Sequence, residues 1–126
     1  MTMKRNMDLV RSILLETEKA DSSYDADRLV CEAYSIDEIR YHVELMQAHG
    51  LIDAVIRKDW SGSVVLCRIE ALTWDGCDYL DAIRDNGVWA RTKKAVAETV
   101  GSTTMSAIKE IAVMVALQAV KAAIVG

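Results

Sequence analysis

The stretch from Tyr34 to Asp81 constrains this chain most, because the start and stop of a helix, two extended apolar runs and a second helix start follow one another within it. Ser35-Ile36-Asp37-Glu38 is a capping box: the serine hydroxyl can accept from the Glu38 amide while the Glu38 carboxylate reaches back to the Ser35 amide. Ile36, Ile39, Val43 and Met46 then recur at three- and four-residue spacing, so one apolar stripe runs along that helix, and Gly50 suits the left-handed residue that ends it. The segments Leu51 to Lys58 and Val64 to Ala71 are rich in Val, Ile and Leu. Between them lies Asp59-Trp60-Ser61-Gly62-Ser63, a glycine-containing connection of hairpin length that places Trp60 near its tip. Thr73 is suited to cap a further helix bearing Cys77, Leu80 and Ile83.

Upstream, Asn6 can cap a first helix whose buried side carries Met7, Val10, Ile13, Leu14 and Thr17, before the polar Asp21-Ser22-Ser23 breaks it. Arg28 to Tyr34 reads as an extended segment, with a brief helix as the alternative. Too few residues remain before the Ser35 cap for a full helix with its turns. Helix, short connection, capped helix, hairpin is the order of a winged helix-turn-helix whose second helix is shortened or missing. The expected fold is therefore α+β, mainly α: a winged helix-turn-helix-like core over residues 1–86 with a β-hairpin wing, and a C-terminal helical extension over residues 87–126. Asn86-Gly87 marks a stop or kink, after which Val88, Trp89, Val96 and Val100 continue a helical pattern. Trp74 and Trp89 are expected in the core. Gly101-Ser102 marks a second break, with a last helix running from Thr103 or Thr104 toward Gly126.

Composition enters as a filter. At 126 residues the chain suffices for one domain with a real core and an extra helix or two. A hydrophobic fraction of 52% excludes a disordered chain, and 27% charged residues with a net charge of −4 describe a soluble, mildly acidic protein. Proline is absent, which favours uninterrupted helices, and without phenylalanine the core must be built from Leu, Ile, Val, Met and Ala. The three cysteines, Cys31, Cys67 and Cys77, are widely spaced and form no Cys-x-x-Cys pair, which points to a reducing compartment and to buried or half-buried thiols. Lys4 and Arg5 lead into Asp8, Arg11 and Glu16 rather than an apolar run, so no cleavable signal is read and a cytoplasmic location is expected. His42 and His49 stand about 10.5 Å apart along one helix, too far to share a metal ion, and neither a metal site nor a cofactor is expected.

The last helix is apolar on most sides, interrupted only by Lys109, Glu110, Gln118 and Lys121. Such a helix is normally buried. Two readings stay open: packing into its own domain, or a homodimer seam in which small alanines allow close approach. A membrane span fits less well, because the charge-free Ile111 to Val120 would cover about 15 Å of a ~30 Å hydrocarbon core.

Several strings resemble a bacterial and prophage family catalogued as domain of unknown function 2513. Lys4-Arg5-Asn6-Met7-Asp8-Leu9 resembles its opening. Tyr34-Ser35 with Ile39, His42, Leu45 and Gly50-Leu51-Ile52 resembles its middle, and Leu72-Thr73-Trp74-Asp75-Gly76 with Leu80-Asp81, Arg84-Asp85 and Trp89 resembles its end. Asn6, Cys77 and Asn86-Gly87 depart from the pattern, which expects Asp, His and a non-glycine pair there. The resemblance covers roughly the first hundred residues. It implies a winged-helix core and a phage or mobile-element setting, and it brings no activity with it.

Three function classes follow. As a DNA-binding transcription regulator, the protein would set the Ser35 to His49 helix in the major groove of double-stranded DNA. Asp37, Arg40, Tyr41, Glu44, Gln47 and Ala48 would face outward, with Arg40 and Gln47 reading bases and Tyr41 reaching a phosphate. Arg57, Lys58 and Arg68 on the hairpin would meet the backbone, and Arg91, Lys93 and Lys94 form the other basic cluster. Against this, the helix carries one arginine against Asp37, Glu38 and Glu44, a net of −2, and duplex affinity depends on cations. As a protein-interaction module, the chain would use Trp60 and the last-helix residues Met114, Leu117 and Lys121 to form a homodimer or dock on a protein partner. An enzyme is expected least: no phosphate loop, nucleophile-base pair or metal-ligand spacing is present, and Asp75, Asp78, Asp81 and Asp85 read as a solvated helix face with Arg84 and Arg91 as counter-charges.

Overall fold

A computed structural model describes residues 4–99 and 108–117. Helix α1 (Met7–Lys19) starts at Asn6, whose side-chain oxygen accepts from the Asp8 and Leu9 amides, and its inward side carries Met7, Leu9, Val10, Ile13, Leu14 and Thr17. A two-residue strand β1 (Tyr24–Asp25) and a 3₁₀ turn (Ala26–Leu29) follow, then α2 (Ile36–His49), β2 (Ile52–Lys58), β3 (Val64–Leu72), α3 (Trp74–Ile83) and α4 (Asn86–Thr99). Residues 108–117 are also helical. The class is mainly helical α+β, with one three-stranded antiparallel sheet among the described residues, in the order β1-β3-β2.

The chain divides into two compact units, Met1–Asp78 and Tyr79–Gly126. In the first, α1 and α2 pack on each other and on the sheet. Leu9, Val10, Ile13 and Leu14 from α1 share that core with Ile39, Val43 and Met46 from α2 and with Ile52, Ala54, Cys67 and Ile69 from the strands. Burial pushes the Cys67 thiol up to about 11, so it stays protonated. His42 is also buried there. Its Nε2 accepts from the Asn6 amide at 2.7 Å and its Nδ1 meets the Glu38 carbonyl at 2.7 Å, so the proton sits on Nδ1 and the ring ties the start of α1 to α2. In the second unit the buried residues include Tyr79, Leu80, Ile83, Val88, Trp89, Val96, Ile108 and Ala112.

The signals around α2 hold in detail. The capping box is formed in both directions, and Gly50 ends the helix at φ 85°. Other expectations are corrected. Arg28 to Tyr34 is not a strand: the strand is Tyr24–Asp25, registered on Ile69 and Arg68. Asp25 then accepts from the Asp27 amide at 2.8 Å and turns the chain into the 3₁₀ turn, and no full helix stands between α1 and α2, in keeping with the expected shortened or missing helix. The helix break expected at Asn86-Gly87 falls instead at Arg84-Asp85, because the Asp85 carboxylate accepts from the Val88 amide at 2.8 Å and starts α4 there. Trp89 is in the core as expected, at 4% exposure, whereas Trp74 is 83% exposed. The inward side of α3 is Gly76, Tyr79, Leu80 and Ile83, and Trp74 lies about 200° around the helix from Gly76. For the same reason Cys77 is exposed, as is Cys31 in the loop before α2. Val100 and the rest of the last helix outside residues 108–117 lie beyond the described residues.

The two strings Gly50-Leu51-Ile52 and Leu72-Thr73-Trp74-Asp75-Gly76 meet at one junction. The Thr73 amide donates to the Leu51 carbonyl at 3.1 Å. The Thr73 hydroxyl donates to the Gly50 carbonyl at 2.5 Å and accepts from the Gly76 amide at 3.0 Å, so one side chain closes the C-terminus of α2 and opens α3. Gly76 approaches so closely that a Cβ there would run into the Leu51 carbonyl. These motifs therefore build the fold at the base of the β2–β3 hairpin.

Candidate nucleic-acid interface

Helix α2 leaves Asp37, Glu44, Gln47 and Ala48 exposed and Arg40 and Tyr41 half-buried, because Ile39, His42, Val43 and Met46 occupy its inward side. The outward side borders an open groove of about 440 Å³ between α2 and the hairpin loop. Asp37, Arg40, Tyr41 and Glu44 line one wall, and Lys58 and Ser63 belong to the other. The groove is electrostatically mixed. Arg40 pairs with Asp27 of the 3₁₀ turn at 3.3 Å, and Lys58 pairs with Glu44 at 2.8 Å. The Arg40 Nε is buried without a hydrogen-bond acceptor among the described residues, so its guanidinium is held through one nitrogen. Tyr41 stands edge-on to the His42 ring, 5.4 Å between centroids.

The hairpin carries the remaining cations. Val55 is registered on Arg68 and Arg57 on Leu66. With no irregularity between Val55 and Arg57, the two arginines are diagonal neighbours on the open face of the sheet. Both are exposed. Neither makes an ion pair among the described residues, although Asp25 is registered beside Arg68 on β1. A bulge between Arg57 and Lys58 leaves Val65 without a register partner, and such a bulge increases the local twist of the hairpin end.

The connecting loop is set by one carboxylate. Asp59 Oδ1 accepts from the Ser61 amide at 2.9 Å, the Ser61 hydroxyl at 2.5 Å and the Ser63 amide at 3.0 Å. These bonds, led by the Ser61 hydroxyl, hold the Asp59 carboxyl below the usual carboxylate range. Gly62 turns the chain at φ 90°. Trp60 projects from this loop at 100% exposure.

Of the residues singled out from sequence, the structure thus gathers Arg40, Tyr41 and Lys58 at one groove. Gln47 lies further along the same helix, Arg57 and Arg68 on the sheet's open face, and Trp60 at the hairpin tip. Met114 and Leu117 are exposed on residues 108–117, at 60% and 54%, with Val113 exposed beside them. Lys121 lies outside the described residues. Sequence reasoning missed Asp27 as the partner of Arg40, which no local pattern signals. It also missed Asp59 as the loop clamp, which the spacing Asp-x-Ser-x-Ser could have indicated. A second groove, of about 350 Å³ between α1 and the segment Arg28–Tyr34, was likewise not anticipated. Among the described residues there is no group of three His, Cys, Asp or Glu placed to hold a metal ion, and no helix is long and apolar enough to cross a membrane.

Fold and groove together define a mainly helical α+β protein in which a capped helix and a β-hairpin border one mixed-charge surface groove. Residues 4–103 match the family described as "Hypothetical protein (DUF2513)", and the chain belongs to that family. An "Uncharacterized protein" of Haemophilus influenzae is 34% identical over 113 residues, covering 87% of this chain and 92% of that relative. No solved structure matches.

Proposed function

We propose that the first unit is a winged-helix-type DNA-binding module of a regulatory protein of phage or mobile-element origin, with α2 as the major-groove helix and the β2–β3 hairpin as the wing. One observation carries this reading: the order α1, β1, 3₁₀ turn, α2, β2, β3 with β1 paired to β3, so that the outward side of α2 and the hairpin loop border the same groove. In such an arrangement a helix enters the major groove while the hairpin beside it meets the backbone or the minor groove. Arg40 and Gln47 would face bases, Tyr41 and Lys58 phosphates.

The acidity of the groove is the physical objection, and the ion pairs supply the answer. Surface pairs such as Lys58–Glu44, and Arg40–Asp27 with its half-buried arginine and exposed carboxylate, stabilise the fold by only ~0–1 kcal/mol, so exchanging either carboxylate for a DNA phosphate costs little. The test is fluorescence anisotropy with a labelled mixed-sequence duplex, titrated at low and then physiological salt. Binding that weakens steeply with salt is expected, with the slope of log K against log salt reporting the phosphates contacted. Arg40→Ala and Lys58→Ala should weaken it, and Asp27→Asn should strengthen it by releasing Arg40. No binding at low salt would sink the reading.

A second reading rests on Val113, Met114 and Leu117, which stand at three- and four-residue spacing and are exposed. A stripe of this kind suits a homodimer or a docked protein partner. It is compatible with DNA binding, since many DNA-binding regulators act as dimers. Light scattering on the intact chain and on Met114→Glu tests it: a monomer in both counts against a dimer seam.

A further inference from the structure

Trp60 is the one tryptophan whose side chain is wholly in solvent, yet the loop that carries it is closed by hydrogen bonds between its neighbours on either side. Besides the three bonds to the Asp59 carboxylate, the Asp59 amide donates to the Ser63 carbonyl at 2.9 Å and the Gly62 amide to the Asp59 carbonyl at 3.0 Å. The indole makes no packing contact that would account for its presence. Its loop neighbours are Asp59, Ser61, Gly62 and Ser63, all shorter than the indole, and the Asp59 carboxylate, although exposed, is occupied by the Ser61 and Ser63 amides and the Ser61 hydroxyl. The tip is thus a narrow blade carrying one flat ring.

Resting on the winged-helix reading above, we propose that Trp60 is a base-stacking wedge: the hairpin tip enters the minor groove of duplex DNA and the indole inserts against a base step, bending the duplex. The tip, residues 59–63, carries no cation, so any phosphate contact there is left to neutral serine hydroxyls and amides. The minor groove is about 6 Å wide, which admits a single ring on a blade of serine and glycine. Apolar side chains used this way partly unstack a step and kink the helix. The neutralising charge comes from behind the tip, where Arg57 and Arg68 lie side by side on the open sheet face without ion pairs among the described residues. Arg57 is three residues, about 10 Å, from Trp60 along the chain, a reach suited to phosphates flanking the inserted step. A protein partner fits less well, because protein hot spots sit at the centre of a broad apolar patch. Here the side chains around the ring are polar.

The experiment compares the intact protein with Trp60→Ala and Trp60→Phe on a 25-base-pair mixed-sequence duplex carrying a donor and an acceptor dye at its ends. Affinity, salt slope and end-to-end transfer are read together. Trp60→Ala should bind about tenfold or more weakly, keep the wild-type salt slope and lose the bend, while Trp60→Phe retains most of both. Circular dichroism should show the fold unchanged in each. In a Trp74→Phe background, the exposed emission that remains should be quenched on duplex binding. Equal affinity and bending by Trp60→Ala would overturn the wedge while leaving the winged-helix reading standing, as would a reduced salt slope, which would make Trp60 an aid to phosphate contacts. Loss of self-association in Trp60→Ala, with duplex binding intact, would overturn it in favour of a protein contact. If no variant binds duplex even at low salt, the DNA reading fails first and the wedge with it.

Discussion

At its base the β2–β3 hairpin is held by the rest of the chain; at its tip it is held by itself. The base is closed by Thr73 bridging Gly50 and Gly76 and by Gly76 seated against the Leu51 carbonyl. Two helix termini and two strand ends therefore share one set of hydrogen bonds. The tip is closed by its own residues, with Asp59 acting on positions within four of itself and the Ser61 hydroxyl meeting the Ser63 hydroxyl at 3.3 Å. The difference separates what the fold needs from what the surface presents. Disturbing the base should propagate into α2, α3 and both strands, whereas disturbing the tip should change only how Trp60 is displayed.

The strongest way to break the contrast is Gly76→Ala. The added methyl group meets backbone rather than a flexible side chain, so Leu51 and α3 must move apart. Destabilisation of about 3 kcal/mol is expected, read as a large fall in Tm, and a near-wild-type Tm would show that Leu51 and α3 can separate freely. Thr73→Val comes next. It keeps the shape but leaves the Gly50 carbonyl and the Gly76 amide without this hydroxyl, which should cost about 1–2 kcal/mol in a denaturant titration. If Thr73→Ser restores most of that loss, the hydroxyl rather than the methyl group is responsible.

At the tip, Gly62→Ala isolates backbone strain. Nothing lies within 4 Å of a Cβ at Gly62, but φ is +90°, a conformation that costs an L-residue roughly 1–2 kcal/mol. The cost should stay local: amide exchange should quicken at Ser61 and Ser63 while the Leu51 and Thr73 region keeps its protection. Faster exchange at both ends of the hairpin would show that tip and base are one cooperative unit.

How legible these two regions were differs for the same reason. The tip could be placed from sequence because hairpin length, a glycine and polar residues are local signals, and so are the Ser35 capping box and Gly50. At the base, the strings around Gly50 and Thr73 were visible as helix punctuation. Their meeting was not, since a close approach between Gly76 and Leu51 is a property of the folded chain. The Tyr24–Asp25 strand escaped because two residues have no period, and it exists through its register on Ile69 and Arg68. Asp85 displaced the expected break because a carboxylate cap outweighed Asn86-Gly87. At the groove, Arg40 and Tyr41 were found from helical spacing, but Asp27, thirteen positions before Arg40, could be joined to it only by the fold.

The smallest effect on global stability and the sharpest test of self-containment come from the Asp59 carboxylate. Its hydrogen bonds, first from the Ser61 hydroxyl and then from the Ser63 amide, favour the charged form and lower its pKa. The folded loop is therefore stabilised fully at pH values above the ordinary carboxylate range. That contribution is lost as pH falls through the lower native value. Acid titration should release the loop, and in a Trp74→Phe background the anisotropy of the red-edge emission, which reports the exposed Trp60 rather than the buried Trp89, should fall as the loop loosens. Asp59→Asn keeps an acceptor oxygen but cannot titrate, so the acid transition in Trp60 should vanish while Tm stays near wild type. If the transition persists in Asp59→Asn, other carboxylates govern the tip, Glu44 beside Lys58 being the nearest in the groove, and the hairpin would then be held at both ends by the rest of the chain.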